Sequence, residues 1–193
     1  REKPLQIALS EKDYCSIEGK GYIILDFGKE MCGGVRILTY LTNGACKVRI
    51  RFGESVNETC AELGEKGACN DHSTRDMVVG LELLSSMLFG GSGFRFVRID
   101  FLDEVQVSIK NIVADGAVYS GEQIFDYTGH DARIKDIFNT AKRTIDLCCA
   151  TEYIWDGVKR DRLVWIGDIY PEMIAFVTLY GRGEILERSL DFI

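Results

Sequence analysis

The chain is predicted to be an antiparallel β-sandwich followed by a smaller helical region. Three observations carry that prediction. The first two thirds consist of short apolar runs, several with period two, separated by turn residues. From Asp131 onward the apolar period becomes that of a helix. With 46% hydrophobic and 10% aromatic residues among 193, the chain has enough apolar side chains to pack a core. That length fits one to two domains, read here as a sandwich over 1–125 and helices over 126–193.

Taken in order, residues 21–27 (GYIILDF) form an apolar run ended by Gly28. Residues 35–42 form a second run, followed by Asn43-Gly44. Both of those residues accept the positive φ of a type I′ turn, so a hairpin is expected there. Beyond it Cys46, Val48, Ile50 and Phe52 alternate with Lys47, Arg49 and Arg51, the pattern of a half-solvated strand. Residues 94–102 and 105–113 read as two more strands, tightly joined through Asp103-Glu104. Residues 57–76 read as a long polar loop, with Glu54 solvated or at a domain interface before it. The glycine-rich run 90–93 lacks the Lys-Ser/Thr of a phosphate-binding loop and reads as a flexible turn.

In the last third, Ile134, Ile137, Phe138, Ala141, Ile145, Cys148 and Cys149 fall on one helical stripe, with Asp131 as N-cap. A loop over 151–170 follows. Pro171 then opens a second helix over 172–180 that Gly181 ends. A third helical pattern runs from 184 to the last residue. The chain starts at Arg1 rather than Met and stops inside a helical pattern, so a piece of a longer protein is expected.

Lys and Arg total 23 against 30 Asp and Glu, a net charge of −7. An acidic chain without a basic run is a poor ligand for phosphate backbones, so no nucleic-acid partner is expected. It has neither a cationic amphipathic helix nor an apolar run of spanning length, so no membrane partner is expected either. The seven cysteines show no CxxC spacing, and His72 and His130 stand alone in polar stretches. No zinc site is spaced that way, and no metal or cofactor is expected. The cysteines, Cys69 among them, read as thiols acting as small core residues, which favours a cytoplasmic setting. A leader lost ahead of Arg1 would instead fit a periplasmic or secreted protein.

Residues 155–168 (WDGVKRDRLVWIGD) concentrate three acids, three bases and both tryptophans of the chain. The acids Asp156, Asp161 and Asp168 are spaced by five and seven, which fits neither a helix face nor a strand face. A sugar site needs such a set. Carboxylates accept hydrogen bonds from hydroxyls and exchange protons, and indoles stack on pyranose C–H faces.

This segment resembles the signature of the α-L-rhamnosidases of glycoside hydrolase family 78, Asp-Cys-Pro-Gln-Arg-Glu-Arg-Leu-Gly-Trp-x-Gly-Asp. Without a gap, Asp156 falls on its first acid, Arg160-Asp161-Arg162 on Arg-Glu-Arg, Trp165 on its Trp and Gly167-Asp168 on its Gly-Asp. Upstream, LDFGKEMCGGVRI and VRIRFGES are similar to the family's β-sandwich module. GFRFVRID and Tyr119-Ser120-Gly121-Glu122 are similar to its approach to the catalytic domain. The resemblance implies a β-sandwich followed by the first helices of an (α/α) six-hairpin barrel, in an enzyme that cleaves terminal rhamnose with inversion. It implies Asp161 as general acid. Asp156, Asp168, Trp165 and Arg160 would bind a rhamnosyl glycoside.

Two departures stand out. Asp161 replaces the family's Glu, and Gly157-Val158-Lys159 replaces Cys-Pro-Gln. A carboxyl one methylene shorter matters, since a shift of about 1 Å can lower a rate on the order of a hundredfold. An inverting pair stands roughly 6.5–9.5 Å apart, and the family's base lies further along the barrel than this chain extends, so the isolated piece is expected to be inactive. Arg160 and Arg162 are expected to point toward Asp156, Glu172 or backbone, because pairing with Asp161 would oppose its holding a proton. A homodimer is compatible with the apolar surface a partial barrel exposes. The alternative function is a non-catalytic carbohydrate-binding β-sandwich with a helical appendage.

Overall fold

The computed structural model describes residues 14–66 and 75–193, so Cys69 and His72 lie outside it. The chain divides into two compact units, the first ending at Gly116 and the second running from Ala117 to Ile193.

The first unit holds six strands: β1 (Cys15–Glu18), β2 (Gly21–Thr42), β3 (Cys46–Gly53), β4 (Asp76–Leu81), β5 (Ser86–Phe101) and β6 (Gln106–Ala117), with a short helix α1 (Val56–Cys60) after β3. The described pairings are antiparallel, in the order β1-β6-β2-β5-β3-β4. Consecutive strands are therefore often not neighbours: β2 and β3 flank β5, while β5 and β6 flank β2.

Several expectations change, among them the loop over 57–76, which opens with α1. Gly28 does not end its strand. It sits at φ +80 in a bulge, its N–H donating to Asp26 Oδ1 at 2.7 Å, and β2 continues with a register shift between Asp26 and Met31. Asn43-Gly44 makes no hairpin, since β2 and β3 do not pair and neither residue is at positive φ. Asn43 is instead held by β6: its N–H donates to Gln106 O at 3.1 Å, and its Oδ1 accepts from Gln106 N at 2.8 Å. The glycine-rich run 90–93 lies inside β5 rather than forming a turn.

The sheet folds over on itself. Phe52 on β3 stands opposite Val97 on β5, yet a Cβ on Gly90 would stand 2.5 Å from Phe52 Cζ. Seven residues of straight strand cover about 23 Å, so β5 curls to bring Gly90 over that ring. The Phe52 and Phe94 rings meet edge-on at 5.0 Å between the layers. Val35, Ile37, Val48, Ile50, Phe52, Phe94, Val97 and Ile99 are all fully buried in this core. Each such side chain stabilises by about 2 kcal/mol relative to exposure.

The polar face of β3, which its alternation suggests is solvated throughout, is solvated at Lys47 but not at Arg51. Arg51 is buried, its Nη2 donating to Asp100 Oδ2 at 3.0 Å and its Nη1 to Cys60 O at 3.2 Å. The segment that follows α1 lies over this face, and Asp100 also accepts from Arg98 Nε at 2.8 Å.

The second unit holds α2 (Ala132–Cys148), α3 (Ile169–Tyr180) and α4 (Glu184–Phe192). The Asp131 carboxylate caps α2 by accepting from Arg133 N at 2.9 Å. Gly181, at φ +76, ends α3. α3 starts at Ile169, two residues before Pro171. Cys149, Ile154, Phe176, Ile185 and Leu186 form its core, with the Tyr119 ring edge-on to Phe176 at 5.2 Å and to Tyr180 at 4.9 Å. The apolar stripe of α2 is buried only at its C-terminal end: Cys148 and Cys149 are buried, whereas Ile134 and Ile137 are exposed. Among the described residues no helix is long and apolar enough to cross a membrane, and no described cysteine forms a disulfide.

Candidate functional site

The segment between α2 and α3 is anchored before it reaches its polar residues. The N–H of buried Ile154 donates to Ser189 Oγ at 2.9 Å, and Ser189 Oγ donates on to Ile185 O at 2.7 Å. The Trp155 N–H donates to Cys148 O at 3.0 Å. Asp156 and Leu163 then clasp each other: the Asp156 N–H donates to Leu163 O at 3.1 Å, and the Leu163 N–H donates to Asp156 Oδ1 at 3.0 Å.

Within that clasp lies a tight reversal. The Arg162 N–H donates to Arg160 O at 2.7 Å across Asp161. Asp161 and Arg162 stand at φ +58 and +56, consecutive left-handed residues that are not glycine. Such conformations cost on the order of 1–3 kcal/mol each and persist where surrounding contacts enforce them. The Asp156–Leu163 clasp supplies that enforcement.

The five residues singled out from sequence are placed differently. Asp156 is half-buried at the base of the clasp, and Asp168 sits immediately before α3 without capping it through its side chain. Both act on Glu172, one helical turn into α3. Burial first, then the negative charges of Asp168 and Asp156, raise the Glu172 carboxyl to about 7. Asp161, Arg160 and Trp165 are exposed at the tip and outer side of the loop. Asp161 is not among the groups that act on Glu172.

Arg162 stacks its guanidinium 4.6 Å above the Trp155 ring, and Arg160 departs from expectation. Arg160 Nε lies 3.7 Å from Asp161 Oδ1. The turn forces these neighbours together, though at a distance too long for a hydrogen bond and without a bidentate fit.

Glu172 is the residue that sequence reasoning assigned no role of its own. Its signal was the i, i+4 spacing from Asp168 at a helix start, which puts both carboxylates on one face. Glu172 also faces the core: burial first, then Cys148, Glu172 and Asp146, push the Cys149 thiol well above its usual range. Among the described residues no cluster of three His, Cys, Asp or Glu side chains is placed to hold a metal ion.

No family model and no curated protein matches the chain. Solved structures do. A rhamnosidase from Klebsiella oxytoca with rhamnose bound superposes with a TM-score of 0.73 at 20% identity, over 91% of this chain and 36% of that one. A GH78 family rhamnosidase of Bacillus sp. GL1 superposes with a TM-score of 0.73 at 16% identity, over 96% of this chain and 18% of that one. The chain thus spans about a third of the first enzyme's length and under a fifth of the second's. At these identities the likeness is one of fold: the chain has the β-sandwich-then-helices fold of a part of these rhamnosidases.

Proposed function

We propose that the chain is part of an inverting α-L-rhamnosidase-like glycoside hydrolase that removes terminal rhamnose from glycosides or polysaccharides. The observation that carries this reading is the left-handed Asp161–Arg162 pair held inside the Asp156–Leu163 clasp. Strain of this kind collects at functional sites, and here it falls on the segment that matches the rhamnosidase signature.

In this reading Asp161 stands exposed at the tip and delivers a proton to the glycosidic oxygen as the bond to the anomeric carbon breaks. Asp156 Oδ1 is taken by Leu163, which leaves Oδ2 to accept a sugar hydroxyl. Asp168 accepts a second hydroxyl, Trp165 lies along the sugar's C–H face, and Arg160 donates to the glycan. Glu172, partly protonated near neutrality, adds a donor beside these two acceptors. The general base comes from sequence beyond this chain, so the isolated chain binds without turning over.

The test uses the parent protein and an aryl α-L-rhamnoside. Asp161→Asn is expected to abolish turnover while leaving L-rhamnose affinity within a few-fold. Full turnover by that variant removes Asp161 from the role of acid. Comparable hydrolysis by the isolated 193-residue chain would show that no outside base is needed. A second reading, carbohydrate binding without turnover, is favoured by Asp161 standing where the resembling signature has Glu, one methylene shorter in reach. It predicts sugar binding but no hydrolysis by the parent.

A further inference from the structure

The first unit carries a cavity of about 580 Å³ whose walls include Tyr14, Ser16, Leu41, Asn43, Gln106 and Ser108. That size is within the range of small-molecule sites. Among the described residues none that lines it is charged, which disfavours phosphates, uronates and charged peptides, because no described group would balance their charge on desolvation.

The polar groups are set in defined directions by the fold. Asn43 Oδ1 accepts from Gln106 N at 2.8 Å, which turns the Asn43 Nδ2 donor the other way. Gln106 Nε2 donates to Ser16 Oγ at 2.9 Å, leaving Gln106 Oε1 as an acceptor and the Ser16 hydroxyl proton as a donor. Ser16 and Ser108 are register partners on β1 and β6, so their Cβ atoms stand about 5 Å apart, a span that the hydroxyls of one sugar ring can bridge. Tyr14 and Leu41 supply apolar surface, and Tyr40 packs 5.4 Å from the Tyr14 ring and steadies it. Oriented donors and acceptors without charge, beside an aromatic ring, are the recognition chemistry of a neutral carbohydrate.

We propose that this groove between β1, β6 and the end of β2 binds a neutral saccharide, its hydroxyls held by Asn43, Gln106, Ser16 and Ser108 and its C–H face against Tyr14 and Leu41. The site goes beyond the loop reading above and stands whether or not that loop turns over.

The test is a ¹H–¹⁵N titration of the whole chain with methyl α-L-rhamnopyranoside and maltotriose as neutral probes and trigalacturonate as the charged one. The side-chain amides of Asn43 and Gln106 report on the groove. The indoles of Trp155 and Trp165, the two tryptophans of the chain, report on the loop. The expected result is movement of the Asn43 and Gln106 amides with at least one neutral probe and none with trigalacturonate. Gln106→Ala is expected to weaken that binding about fivefold, and Ser108→Ala, which leaves the Asn43 contact untouched, to weaken it similarly. The proposal is overturned if neither neutral probe moves these amides at millimolar concentration, if trigalacturonate moves them equally, or if both variants bind like the wild type. Movement of the indoles alone rejects the groove and leaves the loop reading standing. Movement of the groove amides alone does the reverse.

Discussion

The Leu163 N–H donates to Asp156 Oδ1 at 3.0 Å while the Asp156 N–H donates to Leu163 O at 3.1 Å. One aspartate therefore closes a loop of six residues with its side chain and its backbone together. The first acid of the rhamnosidase-like segment thus has a structural duty of its own: it holds the turn that carries Asp161.

Asp156→Ala is expected to open that loop without unfolding the protein. Only the side-chain half of the clasp is lost, and it lies in an exposed segment that opens at low free energy. Amide exchange at Leu163 should accelerate at least about tenfold while global stability changes by less than about 1 kcal/mol. Unchanged exchange at Leu163 would mean that the backbone bond alone holds the turn.

Glu172 sets a pH dependence of defined sign. Its folded-state value of about 7 lies above the ordinary value, so the native state binds this proton more tightly than the unfolded chain does. The stability it contributes is complete below the unfolded glutamate's range and is lost as pH rises through about 7. Glu172→Gln should be more stable than the wild type at pH 8 and lose the difference toward pH 5, as read by urea midpoints. A variant less stable at pH 8 would show that the ionised carboxylate is held by a favourable partner.

Much of the helical unit was legible because its signals are local. The Asp131 cap and the stripe of α2 lie within one segment, and the cap bond to Arg133 spans two residues. Strand pairing was not legible. Asn43 is tied to Gln106, 63 residues away, and that long-range bond replaced the hairpin its own dipeptide favours. Arg51 read as solvated because alternation reports only that a face is polar, not that Asp100 and Cys60 O will cover it. The loop drew attention through its density of Asp, Arg and Trp. Its left-handed turn did not, since neither residue is glycine: Asp161 visits that conformation only occasionally and Arg162 rarely.

The cluster around Asp100 supplies a prediction of larger size. Asp100 and Arg51 are both buried, and Asp100 accepts from Arg51 Nη2 and Arg98 Nε. Removing the acid leaves buried guanidinium groups without it, a loss that typically costs 3–5 kcal/mol. Asp100→Ala is expected to destabilise by about 3 kcal/mol, since Arg51 keeps the Cys60 carbonyl and a 3.3 Å contact to Glu62. A loss below about 1 kcal/mol by urea denaturation would show that water reaches these arginines.

Gly90 tests the fold-over of β5 directly. It stands at φ +88, and a Cβ there would meet Phe52 Cζ at 2.5 Å. Two costs therefore add in Gly90→Ala: about 1 kcal/mol for a side chain in left-handed backbone, and about 2 kcal/mol for forcing a buried ring aside in a packed core. The next residue is the control. Gly91 is not at positive φ, and a Cβ built on it meets no heavy atom within 4 Å. Gly91→Ala should therefore stay within about 1 kcal/mol of the wild type, while Gly90→Ala loses about 3 kcal/mol. Because the two positions share strand, composition and solvent history, a general intolerance of β5 to alanine would lower both equally. The positive φ of Gly90 alone separates them by about 1 kcal/mol; a larger gap requires β5 to curl over the Phe52 ring, and urea midpoints that differ by no more than that would mean that β5 does not close over Phe52.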